Sequence, residues 1–426
     1  MRMNRTRALA PIATTLALAA LLPATAHADP AASPAADRAR IDRILKQTPL
    51  IDGHNDWAEA LAEKAGDARW TVDLNRLDPE KYDTDIERLR TGRVGGQFWS
   101  VYVSASLPEV QQVKDTLDQI DLVKRLALRY PQHFTMATTA AEVRAAHKAG
   151  RIASLMGAEG GGQIDESLSV LRAYHELGVG YLTLTHFKTI SWADSATDDP
   201  KNGGLTDFGK KVVREMNRLG MLVDLSHVSE AVMRDAIVAS RAPVIFSHSS
   251  ARALSNHTRN VSDEVLKLVA KNGGVVMVNF APQYVSEPRR LWGAAKMGEE
   301  ARLKTLFTGE PDKAKAGIDA WLKENPEPHA TLAQVADHIE HIAKVAGHDA
   351  VGLGGDYDGV VSLPDGLGGV ETYPALFVEL IRRGWSDADL AKLAGGNILR
   401  VMEGAEAVAK GLAGELPVTG KPGDKK

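Results

Sequence analysis

Two apolar, β-branched runs each close on a histidine: Leu222, Val223, Asp224, Leu225 and Ser226 lead into His227, and Val244, Ile245, Phe246 and Ser247 lead into His248. Residues 229–241 between them are polar with helical spacing, so the stretch reads as strand, helix, strand. Parallel strands in such a unit deliver their ends, and both histidines, to one face of a sheet. Two imidazoles converging there suggest a metal site. The competing reading is two satisfied histidines near strand ends, and it stands or falls with what the remaining strands deliver to the same face.

Six further apolar runs have the same form. The first, 48–56, ends in His54 and Asp56, which strand alternation aims at one face. The second, 95–103, carries Phe98 and Trp99, read as packing residues. The third, 152–158, stops at Glu159 before Gly160, Gly161 and Gly162, where missing side chains let backbone or ligand come close. The fourth, 180–186, closes on His186. The seventh is 273–280, and the eighth, 350–359, carries Asp356. Helical spacing marks 108–130, 165–177 and 331–346, the last opened by a capping box of Thr331 and Gln334, and three closing helices at 373–383, 386–393 and 397–409. Strands alternating with helices predict an α/β fold, the (β/α)8 TIM barrel, whose chemistry lies at the strand carboxyl ends. Six of the eight strand ends then offer a ligand or an acid/base group, which independent accidents explain poorly.

One segment departs from the alternation. Residues 282–328, between strands seven and eight, read as a charged helical insertion with helices near 298–308 and 312–325, a candidate lid or the contact of a homodimer. The organisation expected is a signal peptide over 1–28, a linker over 29–36, a barrel over 37–410 and a flexible tail over 411–426. Arg2, Arg5 and Arg7, an apolar run over 8–22 and the small residues Ala26 and Ala28 carry the signal reading. It predicts export, to the periplasm or the medium. No later run is long enough to span a bilayer, so no stable membrane anchor is expected.

The formal charge of -4 gives no electrostatic reason to expect nucleic acid. With no cysteine in the chain, any metal must be held by His, Asp and Glu. Three histidines and two carboxylates suit Zn²⁺ or a similar ion, and they exceed what one catalytic zinc needs. Two ions sharing a carboxylate would use the whole set.

The motifs resemble those of the membrane (renal) dipeptidase family, in order and from about Leu50 to Met402. They are His54-Asn55-Asp56, Gly157-Ala158-Glu159-Gly160-Gly161, Thr185-His186 with Trp192-Ala193-Asp194, Asp224-Leu225-Ser226-His227, Phe246-Ser247-His248, Arg259-Asn260-Val261 and Gly355-Asp356-Tyr357-Asp358. The resemblance implies an amidohydrolase-type barrel with two Zn²⁺ ions, acting on small dipeptides through a hydroxide shared by the metals. It implies that His54 and Asp56 hold one ion, His227 and His248 the other, and that Glu159 bridges them. Asp356 would transfer protons, His186 would stabilise the tetrahedral intermediate and contact substrate, and Arg259 with Tyr284 would bind the substrate carboxylate. Dipeptides with a D-residue at the carboxyl end fall within the range of such relatives. A different amidohydrolase activity, on a lactone, cyclic amide or β-lactam, is the second reading, and a barrel that binds without catalysis is the third. The disulfides and apolar tail of the animal enzymes are absent, and the 282–328 insertion has no counterpart there. Lys188 invites a bridging-lysine reading that Glu159 makes redundant, and Asp358 is set below Asp356 as an acid/base. His338 and His341 read as solvated residues on a polar helix face.

Overall fold

In the computed structural model residues 34–423 are described. The signal segment 1–28 lies outside them, and the linker 29–36 enters only through its last three residues, which already begin a helix, Pro34–Gln47. Eight parallel strands follow: Leu50–Asn55, Val94–Ser100, Ile152–Glu159, Val179–Thr183, Leu222–Asp224, Ile245–Phe246, Val275–Val278 and Val351–Leu353. Each pairs with the next, and the eighth returns to the first where Leu353 faces Asp52. The ring is therefore closed, and its eight strands leave no edge among themselves to pair with another chain. A further short strand, Phe134–Met136, lies parallel to the start of strand three and takes no part in the ring.

The strands are apolar on both sides because both sides are covered. Ile51, Phe98, Leu155, Tyr181, Ile245 and Met277 share one cluster with Val143 of the helix Ala140–Lys148 and Ile398 of the helix Asn397–Gly411. Apolar side chains thus plug the amino end of the barrel, and polar groups gather at the carboxyl end. Two glycines make that packing possible. A Cβ at Gly157 would come within 1.9 Å of the Tyr181 ring, and one at Gly53 within 2.5 Å of the Ser247 carbonyl.

The runs expected at 273–280 and 350–359 are longer than the strands that form. Strand eight ends at Leu353 because Asp356 and Asp358 take left-handed backbone, with φ of 61° and 65°. Inside the insertion, the first long helix runs over Glu287–Leu306, well before residue 298, with the Ser286 hydroxyl capping its start and a proline in its first turn. It packs against the helix Pro311–Glu324, where Trp292 and Trp321 meet at 5.9 Å. The tail read as flexible is held in part: Val418 donates its N–H to Glu215 and its carbonyl accepts from Arg172.

His338 overturns the solvated reading. It is fully buried, its Nδ1 accepts from the Ala251 N–H at 2.9 Å, and its Nε2 lies 2.9 Å from the Val285 carbonyl. The pattern requires the neutral tautomer with the proton on Nε2. Its neighbour His341 is half-buried and pairs with Asp263 at 2.7 Å, so the two do not form a metal pair. Burial pushes His338 from 6.5 down to about 4. An unfolded chain therefore binds a proton that the folded one refuses, and stability should fall as pH drops from 6.5 towards 4, by up to roughly 3 kcal/mol. Urea midpoints across that window should slope less steeply in His338→Gln, and equal slopes would remove His338 as the cause.

Candidate metal centre and active site

The carboxyl end of the barrel gathers the candidate residues around Glu159, the last residue of strand three. Its Oε2 lies 3.5 Å from His54 Nε2, while its Oε1 lies 3.0 Å from His227 Nε2 and 3.3 Å from His248 Nε2. His54 sits near the end of strand one. Asp56 is one residue past that strand, at the start of the helix Trp57–Ala65, and its Oδ2 is 3.2 Å from His54 Nε2. His227 follows strand five by three residues in a left-handed conformation, φ 68°, and its Nε2 approaches His248 Nε2 to 2.9 Å. A bulky residue held in that backbone region signals a surrounding structure that fixes it.

In His54 and His248 the ring nitrogen facing away from the centre is committed elsewhere, which orients the one facing in. Tyr181 donates its hydroxyl proton to the Gly53 carbonyl and is therefore free to accept from His54 Nδ1, 2.8 Å away. Ser247 donates to Asp224 and accepts from His248 Nδ1, also at 2.8 Å. Both arrangements leave Nε2 with its lone pair pointing inward. Burial, with the Arg259 charge and neighbouring imidazoles adding, holds His227 and His248 well below the usual histidine range. For Glu159 burial opposes ionisation, but the surrounding histidines, His54 and His186 foremost, prevail and hold its carboxyl well below the usual carboxylate range.

This donor set fits divalent metal. His54, Asp56 and Glu159 offer one trio of ligand atoms within 4.8 Å of one another, and Glu159, His227 and His248 offer a second. His54 Nε2 and Asp56 Oδ1 are buried without any hydrogen-bond partner, a cost that coordination removes. A third trio, His54, His248 and Asp356, shares ligands with both.

A cavity of about 400 Å³ opens over these atoms, lined also by Asp356, His186, Arg259 and Tyr284. Asp356 accepts from Asn279 Nδ2 at 2.8 Å, and burial, joined by Asp56 and Glu159, pushes its carboxyl up to about 8. Asp358 instead exchanges backbone-to-carboxylate hydrogen bonds with Asp83, away from the cavity lining. His186 is buried, 3.9 Å from Glu159, with its ring against Tyr102 and His227. Arg259 is anchored to Ser249 Oγ and the His248 carbonyl, each at 3.1 Å, and its guanidinium faces the Tyr284 ring at 5.3 Å. Lys188 is exposed and does not line this cavity.

Sequence reading overlooked four residues here. Tyr181 and Asn279 lie within or just after apolar runs and gave no polar signal. Tyr102 and Glu59 line the cavity wall, and only Glu59 left a trace, three positions beyond Asp56 and thus one helical turn from it. Burial, with Asp56, Glu63 and Glu159 adding, pushes the Glu59 carboxyl up to about 9.

Residues 38–415 match the membrane dipeptidase family, peptidase family M19. Among solved structures, the probable dipeptidase PvdM from Pseudomonas aeruginosa is 24% identical with a TM-score of 0.75, over 88% of this chain and 100% of that one. A metallopeptidase of the same family, dipeptidase AC, is 25% identical with a TM-score of 0.69, over 84% and 99%. A metallopeptidase from Rhodobacter sphaeroides, solved with a phosphinate mimic of the dipeptide L-Ala-D-Ala, is 24% identical with a TM-score of 0.70, over 84% and 99%.

Proposed function

Since the chain belongs to the membrane dipeptidase family, a family of metal-dependent hydrolases, we propose that it hydrolyses the peptide bond of free dipeptides at a centre of two zinc ions. The observation that carries the reading is the split of Glu159, one oxygen turned to His54 and the other to His227 and His248. A carboxylate so divided is suited to bridging two cations, with His54 and Asp56 holding one and His227 and His248 the other. The absence of sulfur ligands and the ring-nitrogen and carboxylate donors favour zinc. Such an ion pair supplies a Lewis acid for the scissile carbonyl and lowers the pKa of the attacking water.

The protein's own groups do the rest. Arg259 lies ready for the C-terminal carboxylate of the substrate, its guanidinium fixed by Ser249 and the His248 carbonyl so that little freedom is lost on binding. Asp356, held by Asn279, takes the proton released by the water and returns it to the leaving amine. His186 stands where the carbonyl oxygen gains charge, and its imidazole helps to neutralise it. The phosphinate complex of the Rhodobacter relative supports including substrates with a D-residue at the carboxyl end. The basic stretch and apolar run within 1–28 support export, and the mature N-terminus should then begin at Asp29, which sequencing of secreted protein checks.

The direct test is turnover of an L,L and L,D dipeptide panel before chelation, after it, and after zinc is returned. Activity should vanish on chelation and return with about two equivalents of zinc. A zinc-loaded protein that leaves the whole panel uncut while cleaving lactones or lactams would overturn the dipeptidase reading.

A further inference from the structure

Arg259 follows strand six and Tyr102 follows strand two, so they face each other across a ring of eight strands. Glu59 lies on the helix after strand one, on Tyr102's side of the mouth. Glu59 and Tyr102 line the cavity over the metal ligands, and both also line a neighbouring cavity of about 450 Å³. This inference rests on the dipeptidase reading. A dipeptide with its carboxylate at Arg259 and its scissile bond over Glu159 turns its N-terminal residue towards Glu59, and the side chain of that residue has the second cavity to enter.

That cavity is acidic. Glu63, Asp115, Asp118 and Asp121 line it, with Arg69 as the one cation. Asp118 and Asp121 are matched by Lys114 and Arg125 at 2.7 Å, and Asp115 shares Lys114. Glu59 and Glu63 have no ion pair or side-chain hydrogen bond among the described residues. An uncharged side chain passing Glu59 would bury that carboxyl further without a partner, whereas an ammonium or guanidinium would satisfy it and also meet the Tyr102 ring. Burial first, and the neighbouring negative charges after it, raise Glu59; a cation set beside it offsets both and favours the carboxylate form.

We propose that Glu59 selects dipeptides whose N-terminal residue bears a basic side chain, lysine or arginine, and seats that side chain at the junction of the two cavities. The test compares kcat/KM of the zinc-loaded enzyme for Lys-Ala and Arg-Ala with that for Met-Ala and Gln-Ala, of similar length but uncharged. The basic pair should be favoured by about tenfold or more. In Glu59→Gln the preference should shrink to about two- to threefold, through a higher KM for the basic substrates, with zinc content unchanged; Glu59→Lys should reverse it. A wild-type enzyme without the preference, or a Glu59→Gln variant that loses activity equally on all four substrates, would overturn the inference while leaving the dipeptidase reading intact. A panel wholly uncut overturns both.

Discussion

Replacing Asp356 by asparagine should lower kcat for dipeptide hydrolysis by about 10²- to 10⁴-fold, the range a positioned general acid and base contributes. Asparagine keeps the shape and can still accept from Asn279, which holds Asp356 at 2.8 Å, so the geometry of the site should survive. What disappears is the ability to take a proton from the water and return it to the amine. KM should change little, because in the proposed mechanism the carboxylate of the substrate is met by Arg259 on a different loop. The zinc content of the variant decides between two roles. Asp356 belongs to a possible ligand trio with His54 and His248. A variant that loses activity together with one ion would make Asp356 a ligand, and one that retains full turnover would remove it from the reaction.

Glu159→Gln should have the second large effect, and by a different route. The carboxylate is buried, and its two oxygens are turned to different histidines. An amide offers one oxygen and one NH₂, so it cannot satisfy both cations, and the donor end would be pushed against a ligand atom. On the two-ion centre proposed above, metal content should fall to one ion or fewer. Activity should drop by about 10³-fold or more, since Lewis-acid stabilisation worth several kcal/mol is lost. Metal analysis of the purified variant beside its turnover checks the claim. Two retained ions with normal turnover would sink the bridging role.

Much of the architecture was legible because the strands are buried on both faces and so read as largely apolar runs, Asp52 and Gln97 being buried polar exceptions. The candidate residues His54, Glu159, His186, His227 and His248 each terminate such a run, where polarity reappears abruptly. Other features depend on backbone turns or long-range contacts that leave no such mark. The left-handed residues after strand eight cut short a run whose composition promised a longer strand, and the docking of Val418 uses backbone atoms that every residue possesses. The early start of the insertion's first helix was hidden because a long charged helix has no single apolar face to mark its boundary. His338 was misread despite an available signal. It lies three positions after Val335 and four before Ile342, both buried, and so on the inner stripe of its helix.

The fit of Tyr181 beside Gly157 links the barrel interior to the chemistry above it. Enlarging position 157 even to alanine would evict the phenol, and trimming Tyr181 to relieve the clash would delete the hydroxyl that orients His54. Neither position can drift alone. In a library that randomises both, viable clones should therefore occupy a narrow set of joint solutions, and residues with no part in bond breaking would behave as strictly as those that touch the substrate.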